Sequence, residues 1–120
     1  MSVRGAHKTI SEVVTTWPGV SQRPHRFGAV AFFLGERREI GHVHGDHVVD
    51  IPFPIQVRDE LIAAGRAERH AFVPDSGAVS VRLRKPEDVT RAVELLRLSF
   101  EMAVKQRGRG RNSSPLRGSE

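Results

Sequence analysis

Apolar and polar positions follow two periods along the chain, and the switches between them mark out its elements. From His7 to Trp17, Ile10, Val13, Val14 and Trp17 recur at the i, i+3, i+4, i+7 spacing of an amphipathic helix, which Pro18-Gly19 closes. Trp17 ends that stripe and is expected in the core. Val20 to Arg26 reads as a connector. Phe27 to Leu34 is too continuously apolar for a one-sided surface strand and predicts a central one. After the Gly35-Glu36 turn, residues 37–44 predict a second strand and His47 to Ile51 a third, joined at Gly45-Asp46.

Pro52 and Pro54 end this meander, and Pro54 suits the first turn of a helix. Val57, Leu61 and Ala64 form its stripe, with Ile55 and Ile62 at the edges and Gly65 as its C-terminal cap. Residues 69–73 predict a short strand, and Pro74-Asp75-Ser76-Gly77 a turn. Val79, Val81 and Leu83 then alternate with Ser80, Arg82 and Arg84, a strand with one polar face. Pro86-Glu87-Asp88 opens a last helix striped by Val89, Val93, Leu96, Phe100 and Ala103. The order αβββαββα predicts an α+β domain, an antiparallel sheet of about five strands with helices packed on it. Residues 1–6 are expected as a flexible terminus, 7–105 as a single domain and 106–120 as a disordered basic tail.

Composition narrows the chemistry. The 120 residues include no cysteine, which excludes disulfides, thiolate zinc sites and cysteine nucleophiles. No apolar run approaches a membrane span, and no signal-peptide core opens the chain, so a soluble cytoplasmic protein with no membrane partner is expected. The net charge of +5 is concentrated in residues 105–120, which carry +4, leaving +1 on the body. Basicity therefore points to the tail, where nucleic acid is the partner to consider, and not to the folded part.

The chemistry-bearing stretch is Ile40 to Pro54, with His42, His44 and His47 beside Asp46 and Asp50. Alternation on a strand places Ile40, His42 and His44 on one face, with Glu39, Gly41 and Val43 on the other. Imidazole exchanges protons near neutrality and also ligates metals, so a pair of this kind suits acid–base or metal chemistry. It also suits a structural role, in which the histidines hydrogen-bond their neighbours. A second polar set, His70, Asp75, Ser76 and Arg82, lies around the fourth and fifth strands. Asp75 and Ser76 have an ordinary explanation as turn residues. Arg82, on the polar face of its strand, is expected to be solvated, though it could also clamp an oxyanion, and His70 could be a third imidazole beside His42 and His44. No Gly-x-Ser-x-Gly elbow, phosphate-binding glycine loop or dinucleotide fingerprint is present.

Several segments follow one another in the order of a known family: Trp17-Pro18-Gly19-Val20, Phe27-Gly28, Arg38 to Asp46, Asp50-Ile51-Pro52-Phe53-Pro54, Leu61 to Gly65, Pro74-Asp75-Ser76-Gly77 and Leu95 to Phe100. Over about residues 9–104 the chain resembles the luciferase-domain family, small bacterial proteins related to fungal luciferase and mostly uncharacterised. The resemblance implies oxygen-dependent chemistry on a small hydroxylated ring, without an added organic cofactor. It carries His42, His44 and Asp46 onto the family's Gly-x-x-x-Gly-Asp core, and His70 onto a histidine before its turn. Ala71 and Ala78 stand where the family pattern has a histidine and a tryptophan.

Two functional classes follow. In the first, the protein is a small cofactor-independent oxygenase or acid–base enzyme acting on an aromatic or enolisable molecule. Its catalytic residues are then His42, His44, His70 and Asp46, and its substrate-binding residues Arg82, Asp50, Asp75 and Ser76. His42 or His44 is the base, and Asp46 or Asp50 fixes its tautomer. No cofactor is expected; if a divalent metal binds, His42, His44 and His70 are its ligands. In the second, the domain is a non-catalytic binding module with structural histidines and a basic tail that engages its partner. The sequence leaves the oligomeric state open.

Overall fold

The computed structural model describes residues 2–70 and 76–113. Its centre is a six-stranded sheet in which every paired neighbour runs antiparallel. In chain order the strands are β1 (Val20–Pro24), β2 (Val30–Leu34), β3 (Arg38–His44), β4 (Val48–Ile51), β5 (Glu68–Arg69) and β6 (Val79–Arg82). In space they run β1-β2-β3-β4-β6-β5. Helices α1 (Ala6–Val14), α2 (Ile55–Ala63) and α3 (Pro86–Ser113) complete an α+β fold. No helix among the described residues is long and apolar enough to cross a membrane.

One face of the sheet is the core face. Phe32, Ile40, Val43, Val49, Ile51, Val79 and Val81 meet Ile10 and Val14 of α1 and Leu96 and Phe100 of α3 there, all at most 5% exposed. Burying one such side chain contributes about 1.5–3 kcal/mol. Helix α3 contacts β2, β3, β4 and β6 as well as α1.

Local chemistry sets the ends of the elements. Gly5 and His7 at the start of α1 donate their backbone N–H groups to the Asp46 carboxylate, at 3.0 and 2.9 Å. These are donors that a helix cannot satisfy internally, here met from 39 or more residues away. The helix ends at Val14, ahead of Trp17, as the Thr15 and Thr16 hydroxyls donate to the Ser11 and Val13 carbonyls. Trp17 packs on Phe100, ring centroids 5.4 Å apart, under the Arg97 guanidinium, while Val13 is on the solvent side. At the end of α2, the Gly65 N–H donates to the Ile62 carbonyl and the Arg66 N–H to the Leu61 carbonyl. That paired closure needs the left-handed backbone of Gly65, φ 74°. Asp88 in the first turn of α3 reaches back to the N–H groups of Arg84 and Lys85.

The elements depart from the sequence expectation in several places. The Val20–Arg26 connector contains β1, whose Arg23 guanidinium covers the Phe33 ring at 4.1 Å. That cover lets β2 read as apolar on both faces. Phe27, expected inside the second element, lies instead in a turn and is 99% exposed. The fourth expected strand, at 69–73, begins at Glu68, and residues 71–75 lie outside the described residues. Helix α3 continues through 106–113, expected as disordered. Gln106 there accepts a hydrogen bond from Arg38, and Arg107 lies over Gly35 in the β2–β3 turn. Residues 114–120 lie outside the described residues.

Candidate functional site

The open face of the sheet carries a row of polar side chains set by strand register. His42 on β3 pairs with Asp50 on β4, and Asp50 with Ser80 on β6, so all three side chains point to one side. Their in-sequence neighbours Val43, Val49 and Val81 point into the core. Strict alternation on β3 does not hold, however. The register between β2 and β3 slips at Phe32/Phe33, so that both Ile40 and Gly41 lie opposite a single partner position. Ile40, expected beside His42, is therefore fully buried on the helix side. Glu39, expected on the far face, comes round to His42. A glycine is required at the bulge because a Cβ on Gly41 would sit 2.4 Å from Leu96 Cδ2.

Asp50 is the hub. It is 6% exposed, and its Oδ2 lies 3.2 Å from His42 Nε2, 3.0 Å from His44 Nε2 and 3.3 Å from His70 Nε2. Its other oxygen accepts the Ser80 hydroxyl at 2.6 Å. His42 is held on both sides, since its Nδ1 lies 2.6 Å from Glu39 Oε2. The His25 ring stacks on His42, centroids 4.4 Å apart and planes within 10°, while His44 meets His42 edge-on at 4.9 Å. His25 Nδ1 is buried and has no hydrogen-bond partner among the described residues.

These contacts set the charges. Burial works against a proton on His42, but the Asp50 and Glu39 carboxylates outweigh it and raise its pKa to about 9. Burial likewise opposes charge on Asp50, yet the hydrogen bonds from His42 and Ser80 and the nearby His70 lower it to about 2. At neutral pH the centre is an imidazolium between two carboxylates. The Glu39 and Asp50 carboxylates thus favour the protonated ring of His42.

Two cavities adjoin this row. One of about 550 Å³ is lined by His25, Phe27, His42, His44, Asp50 and Arg82, among others. The other, about 450 Å³, lies towards Pro52, Phe53 and Ala78 and shares His42, Asp50 and His70 with the first. Both are of the size that small-molecule sites occupy.

Of the residues singled out by sequence, the structure brings together His42, His44, His70, Asp50 and Arg82. Arg82 lines the larger cavity while its Nε donates to Glu68 at 3.1 Å. Asp46 lines neither cavity. Its carboxylate holds the start of α1 and accepts His7 Nδ1 at 2.7 Å, and the His7 and Gly5 donors lower its pKa to about 2. Ser76 accepts the Ala78 N–H and offers its carbonyl to Arg58, as a turn residue does. Asp75 lies outside the described residues. Glu39, His25 and Ser80 were missed. The isolated glycine within the β3 pattern was the available signal for Glu39, and the polar face of the alternating strand was the signal for Ser80. For a metal, two triplets among the described residues offer ligand atoms within 4.8 Å of one another: His42, His44 and Asp50, and His25, Glu39 and His42. His70, expected as a third ligand, is in neither triplet.

A family model described as Luciferase domain matches residues 37–99. The matched stretch holds Glu39, His42, His44, Asp50, His70, Ser80 and Arg82, and leaves out the loop that carries His25 and Phe27. No curated protein and no solved structure matches the chain.

Proposed function

The chain belongs to the luciferase-domain family, and from that premise we propose that the open face of its sheet is a proton-transfer site that ionises a small enolisable molecule. One observation carries this reading: one oxygen of a single buried carboxylate, Asp50, lies within 3.3 Å of the Nε2 atoms of three imidazoles. A carboxylate that accepts the Nε2–H of a histidine fixes the tautomer in which Nδ1 carries the lone pair. His44 is the more exposed of the two strand histidines, at 34% of its side chain, and takes the role of base. The substrate proton passes to His44, and the negative charge left behind faces the His42 imidazolium. Base and electrostatic stabiliser are neighbours whose environments differ, the arrangement that assigns acid and base roles in known enzymes.

An enolate is also electron-rich enough to give an electron to dioxygen, the oxidant that the family resemblance implies. The site therefore supplies what a cofactor-independent oxygenase needs from its protein. A second reading, a divalent-metal centre on His42, His44 and Asp50, rests on the approach of their ligand atoms. Deuterium exchange at the acidic carbon of aryl ketones and 1,3-dicarbonyls, with parallel oxygen uptake, separates the readings. Exchange that survives chelation and is lost in His44→Ala and Asp50→Asn supports proton transfer. Exchange abolished by chelator and restored by one metal supports the metal centre. Folded variants that exchange as fast as the parent protein overturn both.

A further inference from the structure

The loop between β1 and β2 is closed by the His25 N–H donating to the Ala29 carbonyl at 2.8 Å. At its tip two successive residues take left-handed backbone, Phe27 (φ 57°, ψ 35°) and Gly28 (φ 79°). Glycine adopts that conformation freely, whereas a phenylalanine there is a steric outlier. Phe27 is the one non-glycine residue with positive φ among the described residues, and its side chain is 99% exposed. Backbone strain and an exposed aromatic ring coincide at one position, and the core gains nothing from it. Strain of this kind, when it has a reason, has it in function.

The position supplies one. Phe27 lines the larger cavity together with His25, His42, His44, Asp50 and Arg82. Among the described lining residues it is the only phenylalanine, tyrosine or tryptophan, and Val48 the only aliphatic one. Two arginines line the same cavity, Arg26 next to it in the chain and Arg82, whose Nε donates to Glu68. The matched family stretch contains the proton-transfer residues but not this loop, so Phe27 reaches the site from outside it.

We propose that Phe27 is a stacking platform that selects planar aromatic anions, holding the ring of an aromatic enolate while its oxygen faces His42 and the arginines. This inference rests on the proton-transfer reading for the partner of that oxygen. It makes Phe27 a specificity-determining residue, with no part in moving the proton.

Three probes test it: 4-hydroxycoumarin, an aromatic enolate at neutral pH; dimedone, an enolate without an aromatic ring; and coumarin, aromatic but neutral. The full chain is expected to bind 4-hydroxycoumarin about tenfold more tightly than dimedone, the scale of one stacking contact. Phe27→Ala should erase that difference while leaving dimedone binding unchanged, and Phe27→Trp should keep it. The melting temperature of Phe27→Ala should not fall, which separates the role from folding. The platform is overturned if 4-hydroxycoumarin does not bind, if Phe27→Ala binds it as well as the parent, or if coumarin binds equally well. The underlying reading fails differently. Phe27-dependent binding with unmoved His42 and His44 imidazole signals keeps the platform and removes proton transfer, whereas moved signals with Phe27-independent binding do the reverse.

Discussion

Glu39 and His42 lie three residues apart on one strand, yet they share a face, with 2.6 Å between Oε2 and Nδ1. In a regular strand they would point to opposite sides. The extra residue at Ile40-Gly41 removes that half-turn and gives His42 a second carboxylate. Gly41→Ala is the direct test of the device. The new methyl would press on Leu96, which is fully buried, and lie 3.1 Å from the Asp50 carbonyl oxygen. Urea denaturation should show a loss of about 1–3 kcal/mol.

The protonation of His42 can be followed directly by NMR titration of its imidazole. It should keep its proton until about pH 9, and both Asp50→Asn and Glu39→Gln should lower that value. The sign for stability follows. The folded pKa lies above the unfolded one, so the contribution is fully present below about pH 6.5 and is lost as pH rises through about 9. It is on the order of 3 kcal/mol, shared with Asp50. Asp50 runs the other way: its contribution is present above its ordinary value near 3.8 and is lost as pH falls towards about 2.

Asp46 and Asp50 should separate cleanly on mutation. Asp46→Ala removes the acceptor for Gly5, His7 and the His7 ring, so the melting temperature should fall while proton exchange at the site persists. The loss should shrink below about pH 3.8, as Asp46 itself becomes protonated towards about 2.

His44→Ala should reduce catalysed exchange by about 10²–10⁴-fold, the range for removing a positioned base. Ser80→Ala, which takes one hydrogen bond from the hub, should cost less and lower the His44 variant's residual rate no further.

A chain cut after Gly108 keeps the Arg38–Gln106 hydrogen bond and the Arg107 contact, so fold and exchange should both persist. If the protein is instead a module that binds through its basic end, that cut should abolish partner binding while leaving the histidine titrations unchanged.

The fold was legible wherever one period held over several residues. Val79, Val81 and Leu83 gave the last strand, and Leu96 and Phe100 gave the helix that covers the sheet. The candidate site was half legible. His42, His44 and His70 stood out as residue types, and Asp50 stood out by its nearness in sequence. Glu39 did not, because one extra residue inverts the alternation from which its face was inferred. Phe27 was misplaced because apolar character suggests burial, and nothing short of the backbone angle tells an exposed phenylalanine in a turn from a buried one in a strand. Asp46 was assigned to the histidines by proximity along the chain, when its partners were 39 and 41 residues away.

A carboxylate common to three imidazoles also governs how variants of this protein combine. Removing any one of His42, His44 or His70 frees part of Asp50 for the other two, so single losses should not add up to the triple loss. Asp50→Asn should come close to the effect of changing all three at once. A rate defect fitted to one histidine will then describe the whole group sampled from one of its members.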